Sequence, residues 1–199
     1  MKLVKGAAKA VQKAQKLPRV VIADASPLIA LGLIDSLHWL QQLFGQVQVV
    51  NAVLAEVLPG AFNTSEQRLR AALESGILAV VEEGEGAGAE DAGTLALQNL
   101  IQQAMLDAGE ANGLVHALRL KHAGVSGSTT PLLIMDERAG RQVAAACALP
   151  VVGTAALVVM AKERGVVQSA KAEFARLHAA GFWISQPVLR VMLARCGET

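Results

Sequence analysis

Residues 19–33, RVVIADASPLIALGL, decide how the chain is read. Val20, Val21, Ile22 and Ala23 form a short, unbroken apolar run, the pattern of a strand covered on both faces. Asp24 ends the run. Ser26 stands directly before Pro27, which reads as an N-cap followed by proline at the first helical position. Leu28, Ile29, Leu31 and Leu33 carry the helix onward. Asp24 therefore falls at the carboxyl end of a buried strand, where open α/β sheets place their ligands. A carboxylate there needs a cation, a proton or a hydrogen-bond donor. The plainer reading, that Asp24 caps the next helix, stands beside the functional one until other acids are found at equivalent points.

The pattern repeats outward from this stretch. VQVV (47–50) predicts a second strand, and Asn51 opens a helix that carries Val53, Leu54, Glu56, Val57 and Leu58 before Pro59-Gly60 breaks it. A short amphipathic helix is expected from Ser65, then a third strand in ILAVVEE (77–83). The run GEGAGAEDAG (84–93) lacks the glycine spacing and strand context of a dinucleotide loop and reads as a turn. Helices follow in 94–105 and 110–124, separated near Asp107-Ala108-Gly109, and residues 126–130 form a polar loop. PLLIMDE (131–137) is a strand with acids at its carboxyl end; AGRQVAAACAL is helical, PVVGT a short strand and AALVVMAKERG a helix. The tail reads as two helices around a Gly-Phe turn, the last capped by Ser185. Strands alternating with helices predict an α/β fold with a mainly parallel central sheet.

Composition limits the function classes. The chain has 199 residues, is 53% hydrophobic and carries a formal net charge of +1, enough for one α/β domain with a substantial core but no strong footprint for nucleic acid. Cys147 and Cys196 form no CxxC pair, which argues against a zinc site or disulfide framework and for a reducing, cytoplasmic setting. No apolar run has transmembrane length, and no signal-peptide core is present. Residues 1–18 carry Lys2, Lys5, Lys9, Lys13 and Lys16 at spacings of three or four, a basic N-terminal arm that precedes the domain expected over 19–199.

The acids then gather meaning. Asp24 and Asp136 both end apolar strands, Glu56 is the lone charge of an apolar helical segment, and Glu110 opens a helix. Each has a structural explanation: Asp107 with Glu110 fits a D-x-x-E capping box, and Asp136-Glu137 fits a cap for the helix at Ala139. Taken together, carboxylates converging on one sheet edge make a site for a hard divalent cation. The four histidines show no H-x-x-x-H spacing and read as packing or surface residues.

DASPLIALGLI, the segment around AEVL, LDAGEANGLVHAL, LLIMDERAGRQVA and VVGTAALVVMAKERG occur in the order of a PIN domain. The chain most resembles the bacterial and archaeal PIN-like subfamily of predicted nucleic-acid-binding proteins, and the tail LHAAGFWISQPVLRVMLARCGE extends the resemblance from about Arg19 to the end. The resemblance implies a PIN-like three-layer α/β/α sandwich and a ribonuclease that uses Mg²⁺ or Mn²⁺. It implies Asp24, Glu56, Glu110 and Asp136 as the acids, with Asp107 the rival for the third position. Ser26 would support Asp24, and Thr154 would lie near the metal. Arg138 and Arg141 are candidate phosphate contacts, in competition with a solvated helix turn.

Three function classes follow. The first is a metal-dependent endoribonuclease of single-stranded RNA, with the toxin of a toxin–antitoxin pair as a setting and an antitoxin protein as partner. The second is a catalytically weak PIN-fold module that binds nucleic acid or protein. The third, a doubly wound phosphoryl-transfer enzyme with Asp24 as nucleophile, is disfavoured by Ser26 standing where a haloacid-dehalogenase-like phosphatase has a second aspartate. The apolar tail residues Phe182, Trp183, Ile184, Val188, Leu189 and Met192 predict packing on the domain or a share in a homodimer interface.

Overall fold

The computed structural model describes residues 20–61, 63–81, 92–123 and 130–198. The basic arm (1–18), most of the glycine-rich turn and most of the 126–130 loop lie outside the described residues. Five parallel strands form one sheet: β1 (Val21–Ala23), β2 (Val47–Val50), β3 (Leu78–Val81), β4 (Leu132–Ile134) and β5 (Val151–Val152), in the spatial order β3-β2-β1-β4-β5. The register pairs Ile22 with Gln48, Ala23 with Ile134, and Ile134 with Val152. Pairing continues one step past the strand ends, because Asp24 N–H donates to Ile134 O at 2.9 Å and Met135 N–H to Val152 O at 2.9 Å. Asp24, Asp136 and Gly153 are thereby brought to one carboxyl edge.

Ten helices surround the sheet among the described residues: α1 (Ala25–Leu33), α2 (His38–Phe44), α3 (Asn51–Val57), α4 (Thr64–Glu74), α5 (Ala92–Ala104), α6 (Ala108–His122), α7 (Arg138–Ala146), α8 (Thr154–Glu163), α9 (Ala170–Ala179) and α10 (Gln186–Arg195). The period-2 alternation of a strand sorts them into layers. Val21, Ala23, Leu132 and Ile134 face a core built with α1, α2, α4, α8 and α9, whereas Ile22, Leu133 and Met135 face a second core built with α5, α6 and α7. The result is the expected α/β/α sandwich. Leu28, Leu31, Leu114 and Leu157 are completely buried, and each such side chain contributes about 1.5–3 kcal/mol over an exposed one.

Local structure corrects several expectations. The cap of α1 is Asp24, with extended φ −86° and ψ 168°, so Ser26 lies exposed inside the first turn and is not the cap. Proline tolerates its third position because the N–H groups of a first turn have no intrahelical acceptor. The helix α2 had no separate place in the sequence reading. Asp35, in the left-handed region at φ 57°, ends α1 and turns the chain into it. Arg68 stabilises that end: Nη1 donates to Gly32 O at 2.8 Å and Leu33 O at 3.0 Å, while Nε pairs with Asp35 at 3.2 Å. Asn51 is the first residue of α3, and Val50 occupies the cap. Asn63 caps α4 by accepting Glu66 N–H at 2.9 Å.

The tail packs on the domain through Phe182, Ile184, Leu189, Met192 and Leu193, yet no residue of α10 is fully buried, and Trp183 is 70% exposed. Ser185 holds the cap position of α10 without a side-chain bond. The chain end is fastened by Glu198, whose carboxylate accepts from Ser169 Oγ (2.8 Å), Ala170 N–H (3.0 Å) and Lys171 N–H (2.8 Å) at the start of α9. No described helix is long and apolar enough to cross a membrane.

Candidate metal centre at the carboxyl edge of the sheet

The candidate acids come from different elements and meet at this edge. Asp24 follows β1, Asp136 follows β4, Asp107 and Glu110 open α6, and Glu56 lies in the last turn of α3. Asp24 and Glu110 are buried, 9% and 4% exposed, whereas Glu56 and Asp107 reach solvent. A Cβ placed on Gly109 would lie 3.6 Å from Asp24 Oδ1 and 3.4 Å from Asp107 Oδ1. The two carboxylates therefore flank one bare α-carbon.

Their electrostatics follow from that crowding. Burial pushes Asp24 up to about 6; the Ala25 N–H opposes this, and the charges of Asp107, Glu56 and Asp136 add to it. Burial pushes Glu110 up to about 7, with Asp107, Asp24 and Glu137 adding repulsion and the Asp107 N–H opposing. Glu56 is raised by burial and by Asp107. Asp107 thus acts on Asp24, Glu56 and Glu110 alike.

The capping box is real and occupies only part of each acid. Asp107 Oδ1 accepts Glu110 N–H at 2.8 Å, and the Asp107 N–H lies on the Glu110 side as a weak counter to its repulsion. Glu110 Oε1 remains completely buried without a hydrogen-bond partner. A buried carboxylate oxygen left unmatched costs free energy and calls for a positive partner.

Asp136 is differently placed. Of the pair Asp136-Glu137 expected to cap the helix near Ala139, Glu137 occupies the cap of α7, with no side-chain bond. Asp136 instead reaches across to α8, where Oδ1 accepts Thr154 N–H at 2.8 Å and Oδ2 accepts the Thr154 hydroxyl at 2.5 Å. Thr154 is fully buried and holds Asp136 at the edge of the cluster. Arg141 Nη1 donates to Met135 O at 3.2 Å and makes no other hydrogen bond among the described residues; Arg138 is exposed in the same helical turn.

As the side chains stand, no three His, Cys, Asp or Glu among the described residues converge closely enough to hold an ion. The donor set nevertheless suits a hard divalent cation, because it is all oxygen and includes the unmatched Glu110 Oε1. Glu56 and Asp107 are exposed beside the buried pair, Asp107 with one oxygen held by the cap. Among the described residues Ser26 makes no hydrogen bond to these groups.

Gly140 and Gly153, which sequence reasoning passed over, complete the edge, each set against a carboxylate, and Glu137 adds repulsion at Glu110. Glycine inside a helical pattern was the available signal for Gly140. His116, by contrast, is a packing histidine as expected, with Nε2 2.9 Å from Gln48 Oε1.

No curated protein matches the chain. A family model described as a PIN domain matches residues 20–198, almost the whole length. With its five-stranded parallel sheet and its acids gathered at one edge, the chain belongs to the PIN-domain family.

Proposed function

We propose that the chain is a Mg²⁺- or Mn²⁺-dependent endoribonuclease that hydrolyses phosphodiester bonds of single-stranded RNA. PIN domains are generally nucleases, and the observation that carries the finer reading is the pair of buried carboxylates, Asp24 and Glu110, with Glu110 Oε1 unmatched. Asp24, Glu56, Glu110 and Asp136 would hold the ion, with the outer oxygen of Asp107 in reserve. When bound, such an ion orients a water for in-line attack and stabilises charge on the leaving oxygen. The chain's own residues supply the rest. Asp24 and Glu110 keep protons to unusually high pH, so loading the site releases protons. Thr154 fixes Asp136 through two bonds. Arg138 and Arg141 offer positive charge to the phosphate beside the acids. With no tyrosine in the chain, base-stacking platforms are scarce and sequence preference is weak. The setting that suits this activity is cytoplasmic, as the toxin of a toxin–antitoxin pair, with an antitoxin protein or a second copy as further partners.

A second reading, a PIN-fold module that binds without cleaving, is favoured by one observation: both oxygens of Asp136 are engaged by Thr154, and no three acids sit within reach of one ion. The two separate in one experiment. Labelled single-stranded RNA and duplex DNA are incubated with wild type, Asp24→Asn and Glu110→Gln, in Mn²⁺ and in EDTA. The nuclease reading expects cleavage of the single strand by wild type in Mn²⁺ only. Retained binding with no cleavage in either condition selects the module, and equal cleavage of both substrates would contradict the substrate assignment.

A further inference from the structure

We infer that Gly140 and Gly153 are positioning residues of the acid cluster, and that the bare α-carbon of Gly140 sets the seat of Glu110. This rests on the cation-binding reading above and names residues that reading does not use. Of the glycines in the described residues, Gly45, Gly60, Gly76, Gly165, Gly181 and Gly197 have φ between 73° and 87° and open space where a Cβ would go. They are turn glycines, required by backbone conformation. Gly109, Gly140 and Gly153 have no positive φ, and Gly109 and Gly140 lie within helices. Conformation does not require glycine there, and within a helix glycine is worse than alanine.

What Gly140 and Gly153 share is a carboxylate where a side chain would begin; Gly32, also helical and without positive φ, meets Ser65 Oγ at 2.5 Å instead. A Cβ on Gly140 would lie 2.9 Å from Glu110 Oε1 and 2.5 Å from Met135 Sδ. On Gly153 it would lie 2.6 Å from Asp136 Oδ1 and 2.8 Å from Arg141 Nη1, whereas on Gly109 the nearest atom is Val53 Cγ2 at 2.9 Å and the two carboxylates stand at ordinary contact distance. Gly113, in the same helix as Gly109, is the contrast: its nearest neighbour would be Ile22 Cγ2 at 4.0 Å. The independent sign that the space at Gly140 serves a ligand is Glu110 Oε1 itself, buried and unmatched against that bare α-carbon. A methyl group there would force the carboxylate out of its seat or displace Met135, which is 1% exposed in the core.

The two consequences separate in a double variant. Met135→Ala removes the sulfur that a new methyl would strike, so Gly140→Ala in that background meets only Glu110. The measurement is the Mn²⁺ concentration that gives half the cation-dependent rise in melting temperature, taken on the full chain. Gly140→Ala/Met135→Ala should need at least tenfold more Mn²⁺ than Met135→Ala alone. Gly113→Ala should need no more than wild type. Gly153→Ala, which meets Asp136 rather than Met135, gives the same comparison if the double variant fails to fold, and it should also lose at least tenfold. If the glycine variants respond like their parents while wild type responds to Mn²⁺, the glycines only pack and the inference is overturned alone. If wild type responds to neither Mn²⁺ nor Mg²⁺, the cation-binding reading is overturned and takes the inference with it.

Discussion

Replacing Asp24 by asparagine should make the metal-free protein more stable at neutral pH, the opposite of what removing a structural cap would do. Burial, supported by the charges of Asp107, Glu56 and Asp136, raises Asp24 from its ordinary 3.8 to about 6 against the pull of the Ala25 N–H. Between those values the folded chain binds more protons than the unfolded one, so stability falls as pH rises through this window. The deficit is complete above about pH 6 and, at about 1.4 kcal/mol per decade of proton affinity, amounts to about 3 kcal/mol. Asparagine has nearly the same shape and nothing to ionise, so it escapes this deficit and loses only the charge-assisted part of the Ala25 contact. Thermal melts in EDTA should therefore show Asp24→Asn above wild type at pH 8, by up to about 6–12 °C for a chain of this size, and level with it below pH 4. Mn²⁺ at a hundredfold excess over its dissociation constant should return about 2.7 kcal/mol to wild type and little to the variant. The reasoning is refuted if Asp24→Asn lowers the melting temperature equally at both pH values and wild type ignores the ion; Asp24 is then a cap and nothing more.

Asp107→Ala should cost about 1 kcal/mol through the lost cap, whereas Asp107→Asn keeps the cap and should lower the titration midpoints of Asp24, Glu56 and Glu110 together; carboxyl NMR titrations that leave all three in place would remove Asp107 from the cluster. Glu110→Gln should abolish the Mn²⁺-dependent rise in melting temperature, while Asp107→Asn only weakens it; the reverse order would make Asp107 the ligand. Thr154→Val, which deletes the hydroxyl bonded to Asp136, should cost about 1.5–3 kcal/mol in urea unfolding, and Thr154→Ser should recover most of it. The bonds to Lys171, Ser169 and Ala170, with Lys162 nearby, pull Glu198 down to about 2 from its ordinary 4.5, so that carboxylate stabilises the fold above pH 4.5 and ceases to as pH falls toward 2. Glu198→Gln should therefore melt below wild type at pH 7, and the gap should close with acid; a gap independent of pH would mean that the chain end is held by packing.

The layers and the edge that carries the acids were legible in the chain because they depend on local signals. Residues 20–24 show a short apolar run stopped by a carboxylate, and the same sign recurs at Asp136; parallel strands then force both acids to one edge. The capping box of α6 could be read for the same reason, since its partners are three residues apart. What was not legible depends on distance across the fold. Asp136-Glu137 read as a cap for the neighbouring helix, and Glu137 takes that position, yet the bonds of Asp136 go to Thr154, eighteen residues away. Ser26 before Pro27 is a strong local cap signal that lost to the strand's end: Asp24 N–H is bound to Ile134 O, so the chain turns helical directly after Asp24. The glycines could be seen as anomalies within helices, but their neighbours come from other elements and no spacing predicts them.

The acids of this edge divide into those the fold satisfies and those it leaves unsatisfied, and the division argues for what each does. Asp136 has donors on both oxygens, and a carboxylate so bonded adds stability whether or not an ion arrives. Asp24 and Glu110 are buried beside like charges, each raised well above the ordinary carboxylate range, and one oxygen of Glu110 has no partner. Such groups destabilise the metal-free fold, and replacing them with neutral residues of the same shape would relieve it. Two bare α-carbons, Gly140 and Gly153, keep open space beside the acids, the first at a helical position where alanine would serve the helix better. A chain that accepts both costs at one edge, with a buried threonine holding a further acid beside them, fits the proposal that a cation binds there.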